Sequence, residues 1–314
     1  MSMAERHAAP SAGDTAVVRV EGLAKRYGAR PALAGLSVSV QKGEIIGLLG
    51  ANGSGKTTAL RMLAGLLPPD TGRGAVLGHD LLHQAGEIRR RVGYLSQRFS
   101  LYANLSVSEN LRFRAEVFGL AQPREAVAGL IERFGLAPFV TLAAGRLSSG
   151  WARLLQLACA LVHAPPLLLL DEPTAGLDPA ARQVVWRHIL RCAGEEAAIL
   201  LSTHDLSDAN RCARVIWLAA GVVRANSPPT DLARATGATV LTIRGTGVLG
   251  LVESLEALAG VIASYPIGDS LRVVVATDAA AHVAGCAARR NFAVELAPPT
   301  LEDAVLEWSA SHAR

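Results

Sequence analysis

The stretch Glu44-Ile45-Ile46-Gly47-Leu48-Leu49-Gly50-Ala51-Asn52-Gly53-Ser54-Gly55-Lys56-Thr57-Thr58 decides the fold. A short apolar run, the length of a buried strand, feeds a GxxxxGK[ST] loop, and a helical pattern follows from Thr58 to Leu67. Strand, glycine loop and helix in that order form a cradle for phosphate. The glycines let successive backbone N–H groups turn inward, and the helix N-terminus adds its dipole. Lys56 is placed to reach the β and γ oxygens, and Thr57 offers a hydroxyl to Mg²⁺. A glycine-rich turn that merely caps a helix is the alternative. The chain has only three lysines, Lys25, Lys42 and Lys56, so a chance lysine at this position is improbable.

Working outward, short apolar runs at Val92 to Leu95, Leu167 to Leu170, Ala197 to Leu201 and Arg214 to Leu218 alternate with helical patterns. That alternation predicts an α/β fold around a mostly parallel sheet buried on both faces. Val17 to Val20 and Leu36 to Val40 alternate in hydropathy and read as an antiparallel edge. About 115 residues past the loop, the run Leu167 to Leu170 ends in Asp171-Glu172-Pro173. Two carboxylates at a strand end suit hydrolysis: the first holds Mg²⁺ through water and the second polarises an attacking water. Between the two motifs, about residues 104–148, no strand pattern occurs. Val107 to Phe118 and Arg124 to Phe134 carry helical spacing, broken at Gln122-Pro123, which predicts an all-helical insertion.

The turn-rich cluster Asn226-Ser227-Pro228-Pro229 marks a boundary, with one domain over 16–227 and a second over 228–314. The second domain reads strand, helix, two strands, helix, strand between Ala238 and Leu296, which is the βαββαβ order of a ferredoxin-like α+β unit. Leu241 and Ile243 alternate with Thr242 and Arg244, so one face of its sheet is expected to be covered by the two helices and the other free. Residues 1–15 are expected to form a flexible tail.

Composition narrows the function. Of 314 residues half are apolar and 18% charged, which excludes wholesale disorder. No run of about 18 uncharged apolar residues occurs: the richest stretch, Leu154 to Leu170, carries Gln156, His163 and Pro165-Pro166. Met1 to Val17 lacks an apolar signal core, so the chain is expected in the cytosol. Cys159, Cys192, Cys212 and Cys286 lie far apart and read as reduced thiols. The net charge of +4 is diffuse, with no basic run of five, so no nucleic-acid partner is expected.

Taken together, the motifs resemble the nucleotide-binding subunit of ABC transporters over about 200 positions. The resemblance implies a P-loop ATPase with ATP and Mg²⁺ as its ligands, and it implies roles for residues that would otherwise say little. Gly50 to Thr57, with Asn52, Gly53, Ser54, Gly55 and Lys56, match the Walker A loop, and Thr58 follows it. Leu167 to Asp171 match the Walker B strand and Glu172 the catalytic carboxylate beside it. Tyr27 matches the aromatic that stacks on adenine. Gln97 matches the Q-loop glutamine, a metal neighbour together with Thr57 and Asp171, and His204 matches the switch histidine. Asp178, in Gly176-Leu177-Asp178, matches the D-loop that crosses the dimer interface. The signature Leu147-Ser148-Ser149-Gly150-Trp151 departs from the family's LSGGQ at Ser149 and Trp151 but keeps Ser148 and Gly150, which in the family contact ATP held by the other subunit.

The stretch Tyr94 to Tyr102, Trp151 in the signature and the extra domain ending in Pro299-Thr300-Leu301-Glu302-Asp303 look like the ABC-2 class of exporter ATPases. That class implies a polytopic transmembrane permease, a second copy or a paralogous ATPase as partners, and a peripheral place on the inner face of the cell membrane. A soluble ABC-type ATPase acting on nucleic acid or ribosomes is the alternative; it would be favoured by tandem cassettes or a charged linker, and neither is present. A GTP switch would need an Asn-Lys-x-Asp reader, and no lysine follows an asparagine here.

Overall fold

The computed structural model describes residues 16–312, so the tail expected over 1–15 lies outside the described residues. The chain forms two compact units: the residues up to Asp205 with Ile216–Arg224, and Leu206–Val215 with the residues from Ala225 onward.

The first unit begins with a long hairpin, β1 (Ala16–Tyr27) and β2 (Arg30–Gln41). β3 (Ile45–Leu49) leads into the phosphate loop, and α1 (Lys56–Leu63) leaves it. β4 (Thr71–Val76), β5 (His79–Asp80), α2 (Ala85–Arg91) and β6 (Val92–Leu95) follow. The insertion supplies α3 (Val107–Val117) and α4 (Pro123–Arg133), with two short 3-10 turns. Then come α5 (Ser149–Ala160), β7 (Leu167–Asp171), α6 (Pro179–Gly194), β8 (Ala198–Thr203), β9 (Arg214–Ala219) and β10 (Val222–Ser227), while the short α7 (Leu206–Ala209) between β8 and β9 falls in the second unit. The large sheet has the order β10-β9-β3-β8-β7-β6, and the pairs β3/β8, β8/β7 and β7/β6 are parallel. Every residue of β3, β7 and β8 is buried, as continuous apolar runs require.

The hairpin is not the edge of this sheet. It belongs to a separate antiparallel sheet of order β2-β1-β4-β5. One core cluster explains the separation: Val18, Leu23 and Leu36 of the hairpin, Leu60 and Leu63 of α1, and Ile46, Leu167 and Leu200 of the large sheet pack together. β1 and β2 thus turn their apolar faces onto this shared core, while the in-plane hydrogen bonds of β1 go to β2 and β4. β4 carries two glycines in six residues and gives no strand signal in the sequence. Its glycines serve close approach, since a Cβ on Gly74 (φ +148°) would fall 2.2 Å from the carbonyl oxygen of Arg19.

The insertion is helical as expected. Ser106 opens α3 with a capping box: its hydroxyl accepts from Glu109 N–H at 3.2 Å, and its own N–H donates to the Glu109 carboxylate at 2.7 Å. The Gln122-Pro123 break is a helix start, with Pro123 the first residue of α4, where its missing N–H costs nothing. His163 and His188 pack against aromatic rings away from the phosphate loop. They stack on Phe118 at 3.7 Å and on Phe134 at 4.0 Å, and burial pulls each down to about 4.

The second unit contains α8 (Pro229–Arg234), β11 (Ala238–Arg244), α9 (Val252–Glu256), β12 (Val261–Ile267), β13 (Ser270–Ala276), α10 (Ala280–Ala288), β14 (Ala293–Leu296) and α11 (Leu301–His312). Its sheet has the order β12-β13-β11-β14, antiparallel throughout. Leu241, Ile243, Leu271, Val273 and Val283 form the core under α9 and α10. The expectation of a free second face fails. Val240 and Val274, opposite each other in the β11/β13 ladder, are 2% and 0% exposed, and α11, whose own Leu301 and Ala304 are buried, packs against β11. Arg272, on the same face, is tied to Asp303 of α11 by three hydrogen bonds of 2.7–3.1 Å. Covering this face is why Val240 breaks the alternation read from the sequence.

Candidate active site

The phosphate loop is shaped by close packing. Gly55, the N-cap of α1, has φ +104°, and a Cβ there would meet the carbonyl oxygen of Ala32 at 2.4 Å. This turn aims the first N–H groups of α1 at the cleft. Tyr27, Asn52, Gly53, Gly55, Lys56, Thr57, Thr58, Gln97 and Glu172 all line one cleft of about 470 Å³, with Arg30 and Ala32. Tyr27 is half exposed at its mouth, free to stack on a planar group.

Lys56 is buried and donates to the carbonyl oxygens of Gly50 at 2.6 Å and Ala51 at 3.0 Å. Its ammonium lies 3.9 Å from Glu172 Oε1. Burial lowers the Lys56 pKa, against the opposing pull of Glu172 and Asp171. The Ser54 hydroxyl, also buried, has no hydrogen-bond partner among the described residues, which suits a site that receives a further polar group.

The two strand-end carboxylates play different structural parts. Asp171 Oδ1 accepts from Thr57 Oγ1 at 3.0 Å and from Ser202 Oγ at 2.6 Å. The Ser202 hydroxyl in turn accepts from Glu172 N–H at 2.9 Å, so a single serine fixes both acidic residues. Glu172 adopts φ +48°, rare for a side chain with a Cβ, and this turns its carboxylate out of the strand direction into the cleft. Gln97 Nε2 donates to Glu172 Oε2 at 3.1 Å, and His204 Nδ1 lies 3.3 Å from Glu172 Oε1. Glu172 is 6% exposed, yet three groups converge on it. A carboxylate so placed beside a cationic loop can take a proton from water attacking a bound phosphate.

Sequence reasoning misses four positioning residues, Ser202, Arg153, Gln156 and Arg182. Ser202 lies within the run that carries His204, but only the parallel register Asp171↔Ser202 reveals its task. Arg153 of α5 donates to the carbonyl oxygens of Ser96 at 3.1 Å and Gln97 at 3.3 Å, and Gln156 donates to that of Arg98 at 3.1 Å. A buried arginine and glutamine in an otherwise apolar helix were the available signal. His204 is likewise steadied from outside, by an ion pair between Arg182 of α6 and Asp205.

Ser148, Gly150 and Asp178 do not line the cleft. Ser148 is exposed at the N-cap of α5. Asp178 caps α6, accepting from Ala180 and Ala181 N–H at 2.9 Å. A Cβ on Gly150 would lie 3.1 Å from that of Ala181, so the two motifs adjoin each other. Trp151 packs on Phe139 of the insertion at 4.6 Å between ring centroids, a task for which glutamine is unsuited. Ser149 starts α5 without the positive φ that would demand glycine. Glycine would therefore relieve no strained backbone at this position, and Ser149→Gly is expected to change stability by no more than about 1 kcal/mol, in the destabilising direction. A clear rise in melting temperature, followed by calorimetry, would show that the serine is strained there.

A strand, a glycine loop and a helix N-terminus on one side, and a strand-end carboxylate pair on the other, define an ATPase cassette of the P-loop class. Residues 33–175 match the family model described as "ABC transporter". The chain is 36% identical to the "Daunorubicin resistance ATP-binding protein DrrA3" of Streptomyces coeruleorubidus, over 96% of this chain and 98% of that protein. It is 40% identical over 222 residues to the "Probable multidrug ABC transporter ATP-binding protein YbhF" of Escherichia coli (strain K12); that match covers 70% of this chain and only 38% of the relative. A solved "Structure of ATP binding subunit of ABC transporter" superposes with a TM-score of 0.64 at 31% identity, over 69% of this chain and 92% of that one. The chain belongs to the ABC transporter family, as an ATP-binding cassette.

Proposed function

We propose that the chain is the ATP-hydrolysing subunit of an ABC-2 type exporter, which closes with a second ATPase subunit around two MgATP and drives a separate polytopic permease. The observation that carries this reading is Glu172, turned into the cleft at φ +48° with Gln97 and His204 on its two oxygens and Lys56 3.9 Å away. In this reading Tyr27 stacks on adenine, and the loop from Gly50 to Thr57, with Thr58, holds the phosphates. Lys56 exchanges its loop carbonyls for phosphate oxygens. Glu172 accepts the proton of the attacking water, and His204 orients the terminal phosphate.

The Thr57 hydroxyl and the Asp171 carboxylate, 3.0 Å apart, are hard oxygen donors that suit Mg²⁺, with Gln97 nearby. Bound there with ATP, the ion supplies charge neutralisation for the transferred phosphoryl group. Ser148, Gly150 and Asp178, all outside the cleft of their own chain, are assigned to the ATP of the second subunit.

The names of the relatives, one a multidrug ABC transporter ATP-binding protein and one a daunorubicin resistance ATP-binding protein, support transport as the coupled process, and among the described residues no helix is long and apolar enough to cross a membrane. This reading therefore includes a membrane partner, and with it a peripheral place on the inner face of the membrane. Exposed Phe99, Tyr102 and Phe113, next to a second cleft of about 380 Å³ lined by Leu66, Tyr94, Leu101 and Phe118, support a protein partner on that side of the cassette. Residues 16–227 are assigned as the ATPase domain and 228–314 as an accessory domain.

The test is ATP binding and turnover by the purified chain, with sedimentation of the chain alone and with its permease. Membrane association that depends on the permease is expected, and insertion without it would overturn the partner assignment. Lys56→Ala is expected to weaken ATP binding by at least about tenfold, since a charge-assisted contact of about 1.5–3 kcal/mol is lost. Unchanged affinity in that variant would remove the loop from the site.

A further inference from the structure

Among the residues that line the nucleotide cleft only two are cations, Lys56 and Arg30. Lys56 is committed to the inner end, between its loop carbonyls and Glu172. Arg30 stands at the outer end. It is the cross-strand partner of Tyr27 over the two-residue turn Gly28-Ala29, so the two side chains share one face of the hairpin. From there its guanidinium extends over the phosphate loop: a Cβ placed on Gly53 would lie 3.7 Å from Arg30 Nη2.

The hairpin tip is anchored by other residues. Lys25 pairs with Asp70 at 2.6 Å, Asp70 also accepts from Arg26 N–H at 2.8 Å, and the Arg26 guanidinium donates to the carbonyl oxygen of Ala29 at 2.6 Å. Arg30 takes no part in this anchoring. Its side chain makes no hydrogen bond or ion pair among the described residues, and the carboxylate that faces the cleft, Glu172, belongs to the Lys56 end. An arginine held over a loop of inward-turned N–H groups, with no acid to neutralise it, raises the positive potential of the outer cleft. Its planar fork matches two oxygens of a phosphate.

We infer that Arg30 is a further nucleotide-binding residue that holds the phosphate nearest the nucleoside, while Lys56 serves the terminal end; this rests on the reading of the cleft as an ATP site. The base falls to Tyr27, the adjacent phosphate to its cross-strand partner, and the hairpin turn sets the spacing between the two.

The experiment is equilibrium binding of ATP, ADP, AMP and adenosine, each in competition with labelled ATP, to the full chain and to its Arg30→Ala and Arg30→Lys variants. Arg30→Ala is expected to weaken ATP, ADP and AMP by a similar factor of about 5–20 and to leave adenosine unchanged. Its ATP affinity should also depend less steeply on salt than that of the native chain. Arg30→Lys should recover part of the loss, since a point charge replaces a fork. Arg30 is exposed, so both variants should melt with the native chain. Equal affinity of Arg30→Ala and the native chain for AMP and ATP would overturn the inference. So would an equal loss for adenosine, which would make Arg30 a base contact. A native chain that binds none of the four would instead bring down the ATP-site reading itself.

Discussion

Glu172→Gln is expected to lower ATP hydrolysis by about 10²–10⁴ while ATP still binds, so that an ATP-loaded dimer accumulates. The amide keeps the shape of the side chain and its place at φ +48°, but it cannot accept a proton from water. Gln97 still has an oxygen to donate to, so the loop around residues 96–98 has no reason to move. What changes is the charge 3.9 Å from Lys56, and Lys56 retains its two carbonyl partners. Phosphate release in a single turnover, measured beside ATP affinity and sedimentation, separates the chemistry from binding. Native turnover in this variant would exclude Glu172 as the base.

The second large effect is expected in the other unit. Asp303 is fully buried, accepts three hydrogen bonds from Arg272, and also receives the Tyr265 hydroxyl and the Thr300 N–H and hydroxyl, each of the last three at 2.7 Å. Burial pushes the Asp303 carboxyl up, but the hydrogen bonds from Arg272, Tyr265 and Thr300 outweigh it and hold it below the usual carboxylate range. Its contribution is therefore present above the unfolded carboxylate pKa, about 3.9, and is lost as pH falls through the lower folded value. Asp303→Ala leaves the Arg272 guanidinium buried without its partner and should destabilise this unit by about 3–5 kcal/mol. Replacing both residues by apolar ones of similar volume should cost far less, because no lone charge remains. Calorimetry on the three chains decides it, and equal loss in the single and double variants would assign the effect to packing alone.

The legibility of the chain in its sequence divides along physical lines. The phosphate loop, Asp171-Glu172 and the helical insertion are local patterns whose spacing carries their meaning, and the structure places Tyr27, Lys56, Gln97 and Glu172 around one cleft. What the sequence conceals is pairing at a distance. β4 gives no strand signal because glycine is needed where it crosses β1. The covered second face of the C-terminal sheet depends on Arg272 meeting Asp303 across 31 positions, and neither residue alone marks α11 as a core helix. Ser202 and Arg153 serve the site through partners 31 and 57 positions away, beyond any local motif.

The hydrogen bonds from Arg153 and Gln156 also have a mechanical meaning. They clamp the backbone at residues 96–98 to the middle of α5, whose first turn carries Gly150 and whose Trp151 is wedged against Phe139. Loop, helix and insertion are thus joined by contacts of known partners rather than by chain proximity alone. A shift of Gln97 would load the hydrogen bonds from Arg153 and Gln156 first, and the helix that carries Ser148 and Gly150 is the part of the chain those bonds pull on, like a hinge pin set between two leaves.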